Sequence, residues 1–195
     1  MRAALTIAIL AGGAATRLQG RDKGLEPLCG RPLVAWTIEA AAAMAAVPIL
    51  IVANRNPDAY AAFARTIRDD LAGFRGPLAG VAAALAVCDT PWLMTLPVDC
   101  PQPPRDLAVR LLDATRAEST KAAVAHDGER RQPLFAIYRR ELAPDAATAA
   151  AQGQGVWQWQ NAIGARELDF ADRRAQFRNL NTPEDFAAYA AEHAR

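Results

Sequence analysis

Residues Leu10-Ala11-Gly12-Gly13-Ala14-Ala15-Thr16-Arg17-Leu18-Gln19-Gly20-Arg21-Asp22-Lys23 carry the chain's clearest chemical potential. They follow an apolar run, Ala3 to Ile9, that reads as a buried first strand. Glycines at 12 and 13 lack a Cβ, so backbone N–H groups there can approach phosphate oxygens closely. Arg17 and Lys23 add the positive charge that amides lack. A glycine pair, an arginine and a lysine on the loop leaving a strand fit a triphosphate cradle. The spacing is neither the Walker A pattern nor the dinucleotide G-x-G-x-x-G pattern, which disfavours both of those readings. The competing reading is a glycine-rich turn before a helix, which requires neither Arg17 nor Lys23. Within the loop, Arg21 is expected to be solvated and Leu18 to pack beneath. Asp22 either positions Lys23 or faces water.

Further along, Asp99 ends the apolar run Trp92 to Leu96 and the segment Pro97-Val98. A carboxylate at the mouth of a buried strand can hold Mg²⁺ against nucleotide phosphates, and magnesium needs only one or two protein acids. A helix cap or a loop ion pair is the plain alternative. Asp69 is a candidate for a base edge or a ribose, with Asp70 competing. Asn54 offers an amide to a base or ribose, although Asn54-Arg55-Asn56-Pro57 is also good turn chemistry. Gly76-Pro77-Leu78-Ala79-Gly80 brings backbone close to a nucleoside or to the sheet. Asp89 precedes its strand and is expected at the opposite edge of the sheet. His126 and His193 lack partner patterns, and no Ser or Cys has triad logic. Trp157 and Trp159 either rim a second pocket or divide into one buried and one half-exposed ring. The run Arg130-Arg131-Gln132-Pro133 either meets an anionic acceptor or forms a solvated hairpin.

These residues need elements to gather them. Strand-like and helix-like runs alternate, which predicts an α/β fold with a mostly parallel sheet between two helical layers. Strands are expected at 3–9, 49–53, 66–68, 92–96, 122–126, 133–138, 168–170 and 177–180. Helices are expected at 32–46, 57–64, 78–87, 104–117, 139–151 and 156–163. A last helix opens at Asn181-Thr182-Pro183-Glu184-Asp185, with Thr182 as N-cap and Pro183 at the first helical position. In such sheets ligands bind beyond the carboxyl ends of the strands, where the first loop, Asn54, Asp69 and Asp99 would surround one crevice.

With 195 residues the chain is expected to form a single domain. A net charge of +1 gives no global field for nucleic acid or an anionic membrane, so neither is an expected partner. No apolar run approaches the ~18 residues of a membrane span. Met1-Arg2 ahead of an apolar run is a poor secretory signal and a better first strand. Three widely spaced cysteines, Cys29, Cys88 and Cys100, argue against a disulfide framework or a zinc site and fit a reducing cytoplasm.

On these motifs the chain resembles the molybdenum cofactor guanylyltransferases, within the nucleotidyltransferases of Rossmann-like α/β three-layer fold. The likeness rests on Leu10-Ala11-Gly12-Gly13 with Arg17, Asp22-Lys23-Gly24-Leu25, Pro27-Leu28-Cys29-Gly30-Arg31-Pro32-Leu33 and Ala53-Asn54-Arg55. It continues through Asp69, Gly76-Pro77-Leu78-Ala79-Gly80, Pro97-Val98-Asp99-Cys100-Pro101, Gln132-Pro133-Leu134-Phe135-Ala136 and Phe177 to Asp185. The first element alone implies only a nucleotidyltransferase. Asp-Lys-Gly-Leu together with Asn-x-Asn-Thr-Pro-Glu-Asp narrows it. The resemblance implies guanylyl transfer from GTP to molybdenum-bearing molybdopterin with release of pyrophosphate. It puts Leu10, Ala11, Gly12, Gly13 and Lys23 on GTP, Asn54 and Asp69 on the guanosine, and Asp99 on Mg²⁺. Lys23, Arg17 and Asp99 would carry catalysis, while Gln132, Asn179 and Asn181 would face the acceptor. It also implies transient contact with molybdoenzymes or their chaperones. The chain departs from the family pattern at Leu18-Gln19-Gly20, where Met-Gly-Gly is common, at Cys100, and at Val52, where some members are polar. A cytidylyltransferase, a relative using another phosphate acceptor, and a non-catalytic GTP-binding delivery protein are the competing readings.

Overall fold

The computed structural model describes residues 5–12, 22–69 and 76–193. Gly13, Arg17 and Asp70 lie outside the described residues. The sheet is built around β1 (Leu5–Leu10), whose six residues are all buried. Leu5, Ile7 and Ile9 face one layer, and Thr6, Ala8 and Leu10 face the other, as the period-two alternation of a strand requires. β1 pairs in parallel with β4 (Ile49–Val52) on one side and β6 (Trp92–Pro97) on the other. β5 (Arg65–Ile67) extends the sheet beyond β4. Beyond β6 come β8 (Arg131–Arg139), β7 (Ala122–His126) and β9 (Arg166–Asp169), completing seven strands in the order β5-β4-β1-β6-β8-β7-β9. Only β8 runs antiparallel to its neighbours.

One face of the sheet is covered by α3 (Pro77–Ala86), α5 (Ala143–Ala151) and α6 (Val156–Ala162). Alanine-rich α3 packs close, since a Cβ on Gly80 would meet Leu10 and Val52 at 3.4 and 3.5 Å. The other face carries α1 (Leu33–Met44) and α4 (Leu107–Ala117). Tyr60 of the short α2 (Pro57–Ala61) joins this layer near the sheet end. The last helix, α7 (Pro183–His193), packs Tyr189 against Leu28, Leu33 and Leu180. This is the three-layer α/β architecture with a mostly parallel sheet that the alternation of runs predicts.

Four expectations are corrected. The helix expected from Pro32 starts at Leu33, because β2 (Pro27–Leu28) and β3 (Arg31–Pro32) pair in a two-residue antiparallel hairpin. Its turn runs through Cys29 and Gly30, both at positive φ (49° and 77°). A ladder this short has no alternation to read. The helix expected from Pro104 starts at Leu107, after a turn closed by Leu107 N donating to the Pro104 carbonyl (3.1 Å). The helix expected over 139–151 is a 3₁₀ turn, Arg140–Leu142, followed by α5, whose proline sits in its first turn where no N–H is needed. The strand expected at Phe177–Leu180 does not join the sheet. Ala171–Phe177 coil into a 3₁₀ segment, and Phe177 spends its apolar surface on edge contacts with Phe135 (5.0 Å) and Phe170 (5.7 Å).

Candidate active site

The carboxyl ends of β1, β4, β5 and β6 open on one side of the sheet, because these strands are parallel. The ladder continues past the strands: Ala11 N donates to Val52 O (2.9 Å), Ala53 N to Ile67 O (2.9 Å) and Val98 N to Leu10 O (3.1 Å). The loops carrying Ala11-Gly12, Asn54, Asp69 and Asp99 therefore leave the sheet in register, side by side. Gly12 has open space where a Cβ would lie.

Lys23 reaches this mouth from a 3₁₀ turn, Lys23–Leu25. Its Nζ donates to Asp99 Oδ2 at 3.0 Å and to Asn181 Oδ1 at 2.7 Å. Residues separated by most of the chain thus meet at one ammonium group. The Asp99 backbone is held independently, with its carbonyl accepting from Leu180 N (2.8 Å) and the neighbouring Val98 carbonyl accepting from Thr37 Oγ1 (2.9 Å). Asp99 Oδ1 is buried and has no hydrogen-bond partner among the described residues. A buried carboxylate oxygen left unpaired is costly. It is also the donor type a hard divalent cation prefers, so Asp99 fits a magnesium ligand. No cluster of three or more His, Cys, Asp or Glu with metal-site geometry occurs among the described residues.

Asn54 and Asp69 form a reciprocal pair. Asn54 Nδ2 donates to Asp69 Oδ2 (2.7 Å), and Asp69 N donates to Asn54 Oδ1 (3.0 Å). Asp69 Oδ1 is left buried with no hydrogen-bond partner among the described residues. The amide that the sequence offered to a base or ribose is therefore engaged in holding Asp69, which keeps the free acceptor. α3 begins at Gly76, whose φ of 82° and ψ of −178° only glycine adopts comfortably.

Asp22 positions the lysine turn. Its carboxylate accepts from the Tyr60 hydroxyl and, at 3.1 Å, from Asn56 Nδ2. Burial, the hydrogen bond to Asp22 and the charge of Asp22 all drive the Tyr60 phenol far above its ordinary range. It stays protonated and donates to that carboxylate, while the Gly24 backbone lies against its oxygen. Tyr60 was not singled out in the sequence. A lone tyrosine inside an alanine-rich helix just after Asn54 is its only trace there.

Asn181 faces Lys23, and its backbone N donates to Asp185 Oδ2 (2.8 Å) in the N-terminal cap of α7. Asn179 Oδ1 is buried without a partner among the described residues. Gln132 is buried at the start of β8, and its Nε2 donates to Asp127 Oδ2 (2.6 Å). Asp127 also accepts from the amides of Glu129 (2.9 Å) and Arg130 (2.8 Å), closing the β7–β8 turn. Arg131 pairs with Glu167 and donates to Asn161 (2.6 Å). Arg131 is thus tied to β9 and α6, while Arg130 lies on the exposed turn 3.9 Å from Asp127. Next to Gln132 the pairing of β7 steps from Ala136 to Gln132, so residues 133–135 bulge out of the ladder at the mouth. Asp89 is exposed before β6, at the opposite edge, as expected. Trp159 is buried while Trp157 is 61% exposed.

The arrangement matches known proteins along most of its length. The model of the MobA-like NTP transferase domain matches residues 7–167. A molybdenum cofactor guanylyltransferase of Vibrio cholerae is 38% identical over 186 residues, covering 95% of this chain and 91% of the relative. One from Shewanella sp. strain MR-4 is 40% identical over 188 residues, covering 94% of each. A solved structure, molybdopterin-guanine dinucleotide biosynthesis protein A from Archaeoglobus fulgidus, has a TM-score of 0.80 at 22% identity, covering 97% of this chain and 98% of that one. At that identity it bears on the fold alone. With its lysine, aspartate and asparagine gathered at one strand-end mouth, the chain belongs to the molybdenum cofactor guanylyltransferase family of MobA-like NTP transferases.

Proposed function

We propose that the protein transfers a guanylyl group from GTP to the terminal phosphate of molybdenum-bearing molybdopterin, forming the guanine dinucleotide cofactor and releasing pyrophosphate. The observation that carries this reading is the meeting of Lys23, Asp99 and Asn181, with one Asp99 oxygen unspent, in a chain 38% identical to a named guanylyltransferase. A phosphate oxygen of the acceptor attacks the α-phosphorus of GTP. The bond from that phosphorus to the bridging oxygen breaks, and pyrophosphate carries away the electron pair. A phosphate monoester dianion is already nucleophilic near neutral pH, so no general base is required. This agrees with the histidines. His126 accepts from Gly128 N, and His193 contacts the Tyr189 carbonyl and Gln102.

The protein's task is positioning and charge neutralisation. Lys23 supplies an ammonium group to triphosphate oxygens. The Ala11-Gly12 backbone opens toward the same space, and Asp69 offers its free oxygen to the nucleoside. Gly13 and Arg17 complete the phosphate-binding loop in this reading. Asp99 would hold Mg²⁺, which when bound neutralises phosphate charge and polarises the phosphoryl oxygens. Asn179 and Gln132 lie toward the acceptor, and Asn181 links that side to Lys23. No helix is long and apolar enough to cross a membrane among the described residues. Transient contact with molybdoenzymes or their chaperones belongs to the same proposal.

The test is incubation of the protein with each nucleoside triphosphate, Mg²⁺ and the pterin acceptor, following pyrophosphate. Release with GTP alone is expected. Release with CTP instead would reassign the donor. GTP binding without release would favour a delivery protein.

A further inference from the structure

We propose that Tyr60 is a positioning residue for Lys23. It acts through the Asp22 carboxylate beside that lysine. This rests on the reading of Lys23 as a triphosphate ligand.

Both chain neighbours of Lys23 rest on one side chain. Asp22, before it, accepts a hydrogen bond from the Tyr60 hydroxyl. Gly24, after it, packs on the same phenol, so that an added Cβ would collide with the hydroxyl and lie 3.1 Å from Cε1. Tyr60 itself is fully buried among Ile9, Val34, Ile51 and Val98, so its ring cannot drift. The fold needs the ring there, and a phenylalanine would fill the same space. The hydroxyl serves Asp22. The other Asp22 oxygen is held by Asn56 at 3.1 Å, from a left-handed backbone conformation (φ 46°) that asparagine tolerates.

Asn56 and Tyr60 belong to the segment that begins at Asn54, the residue that holds Asp69. The loop after β4 therefore grips the nucleoside-side acid through Asn54 and the lysine turn through Asn56 and Tyr60. The ammonium of Lys23 is thereby presented to Asp99 and Asn181 from a turn fixed at both flanks.

Binding of GTP and of guanosine to the full chain, measured by calorimetry in Mg²⁺, separates this role from simple core packing. The comparison uses wild type, Tyr60→Phe, Asp22→Ala and the double variant, with thermal unfolding of each. Loss of a hydrogen bond to a charged group predicts about tenfold weaker GTP binding in Tyr60→Phe. Guanosine binding stays within about twofold, and the unfolding midpoint within a few degrees. The penalty in the double variant should fall well short of the sum of the single penalties, since the hydroxyl acts chiefly through that carboxylate. Asn56→Gly, which removes the exposed amide and keeps the left-handed backbone, should reproduce the selective loss of GTP in smaller measure. GTP binding equal to wild type in Tyr60→Phe, equal losses of GTP and guanosine, or additive penalties in the double variant would each overturn the inference. A wild-type protein that binds no GTP would overturn the guanylyl-transfer reading itself, and this inference with it.

Discussion

Asp99 carries two obligations at once, and they set the behaviour expected of its variants. One oxygen neutralises Lys23, and the other is buried and unspent. Asp99→Ala should lower turnover by about 100-fold or more, the loss typical when a transition-state charge stabiliser is removed, while circular dichroism shows the fold intact. Turnover near wild type would remove Asp99 from the reaction. Lys23→Ala should weaken GTP binding by about tenfold or more, as for a lost charge-assisted hydrogen bond, and equilibrium titration reads this directly. Asp99 and Lys23 were both legible in the sequence because each sits in a local pattern: a glycine-rich loop after a strand, and an acid after a buried strand. What stayed hidden was their direct contact and the third member. Asn181 reads as an acceptor-side residue beside a helix cap, and only folding brings its Oδ1 to Lys23. Tyr60 stayed hidden for a different reason, because a buried hydroxyl with one long-range partner has no sequence period.

Short, tightly packed elements hold the site, and two of them can be tested as elements. The Lys23–Leu25 turn lies against Tyr60 and Val98, and a Cβ on Gly24 would come within 3.0 Å of Val98 Cγ2. Gly24→Ala should cost about 1–3 kcal/mol through overpacking, and Tyr60→Phe in the same chain should recover part of it by removing the obstructing hydroxyl. Denaturant titration of the single and double variants measures both effects. The α7 cap is the second case. Asp185 accepts from the amides of Asn181 (2.8 Å) and Thr182 (2.9 Å), while its own N–H donates to Thr182 Oγ1 (3.2 Å). The Asn181 amide foremost, then that of Thr182, hold its carboxyl below the ordinary aspartate range. The cap's contribution is therefore complete above the unfolded value of about 3.9 and is lost as pH falls through the lower folded value. The stability gap between wild type and Asp185→Asn should be open at pH 7 and close below about pH 4. A gap independent of pH would contradict this. The cap was readable as Asn-Thr-Pro-Glu-Asp because capping is local chemistry. The two-residue β2–β3 hairpin and the 3₁₀ run before α7 were not, because their geometry is set by packing over Trp36, Phe135 and Phe177.

At the scale of the whole molecule, the parallel core β5-β4-β1-β6 does the organising. It sends four loops out of the same edge, so groups up to 158 positions apart in the chain meet at one ammonium. That topology was legible from alternating runs, since strand and helix periods are strong over long segments. The antiparallel placement of β8 between β6 and β7 is a long-range choice that no local pattern in the sequence carries. The central claim is that this mouth moves a guanylyl group. The most direct test is pyrophosphate release from GTP by wild type and by Asp99→Ala, with Mg²⁺ and with or without molybdenum-bearing molybdopterin. Release by wild type that requires both GTP and the acceptor, and that falls at least about 100-fold in Asp99→Ala, is the expected result. No acceptor-dependent release from GTP by the wild-type protein, or equal release by the two proteins, would contradict it.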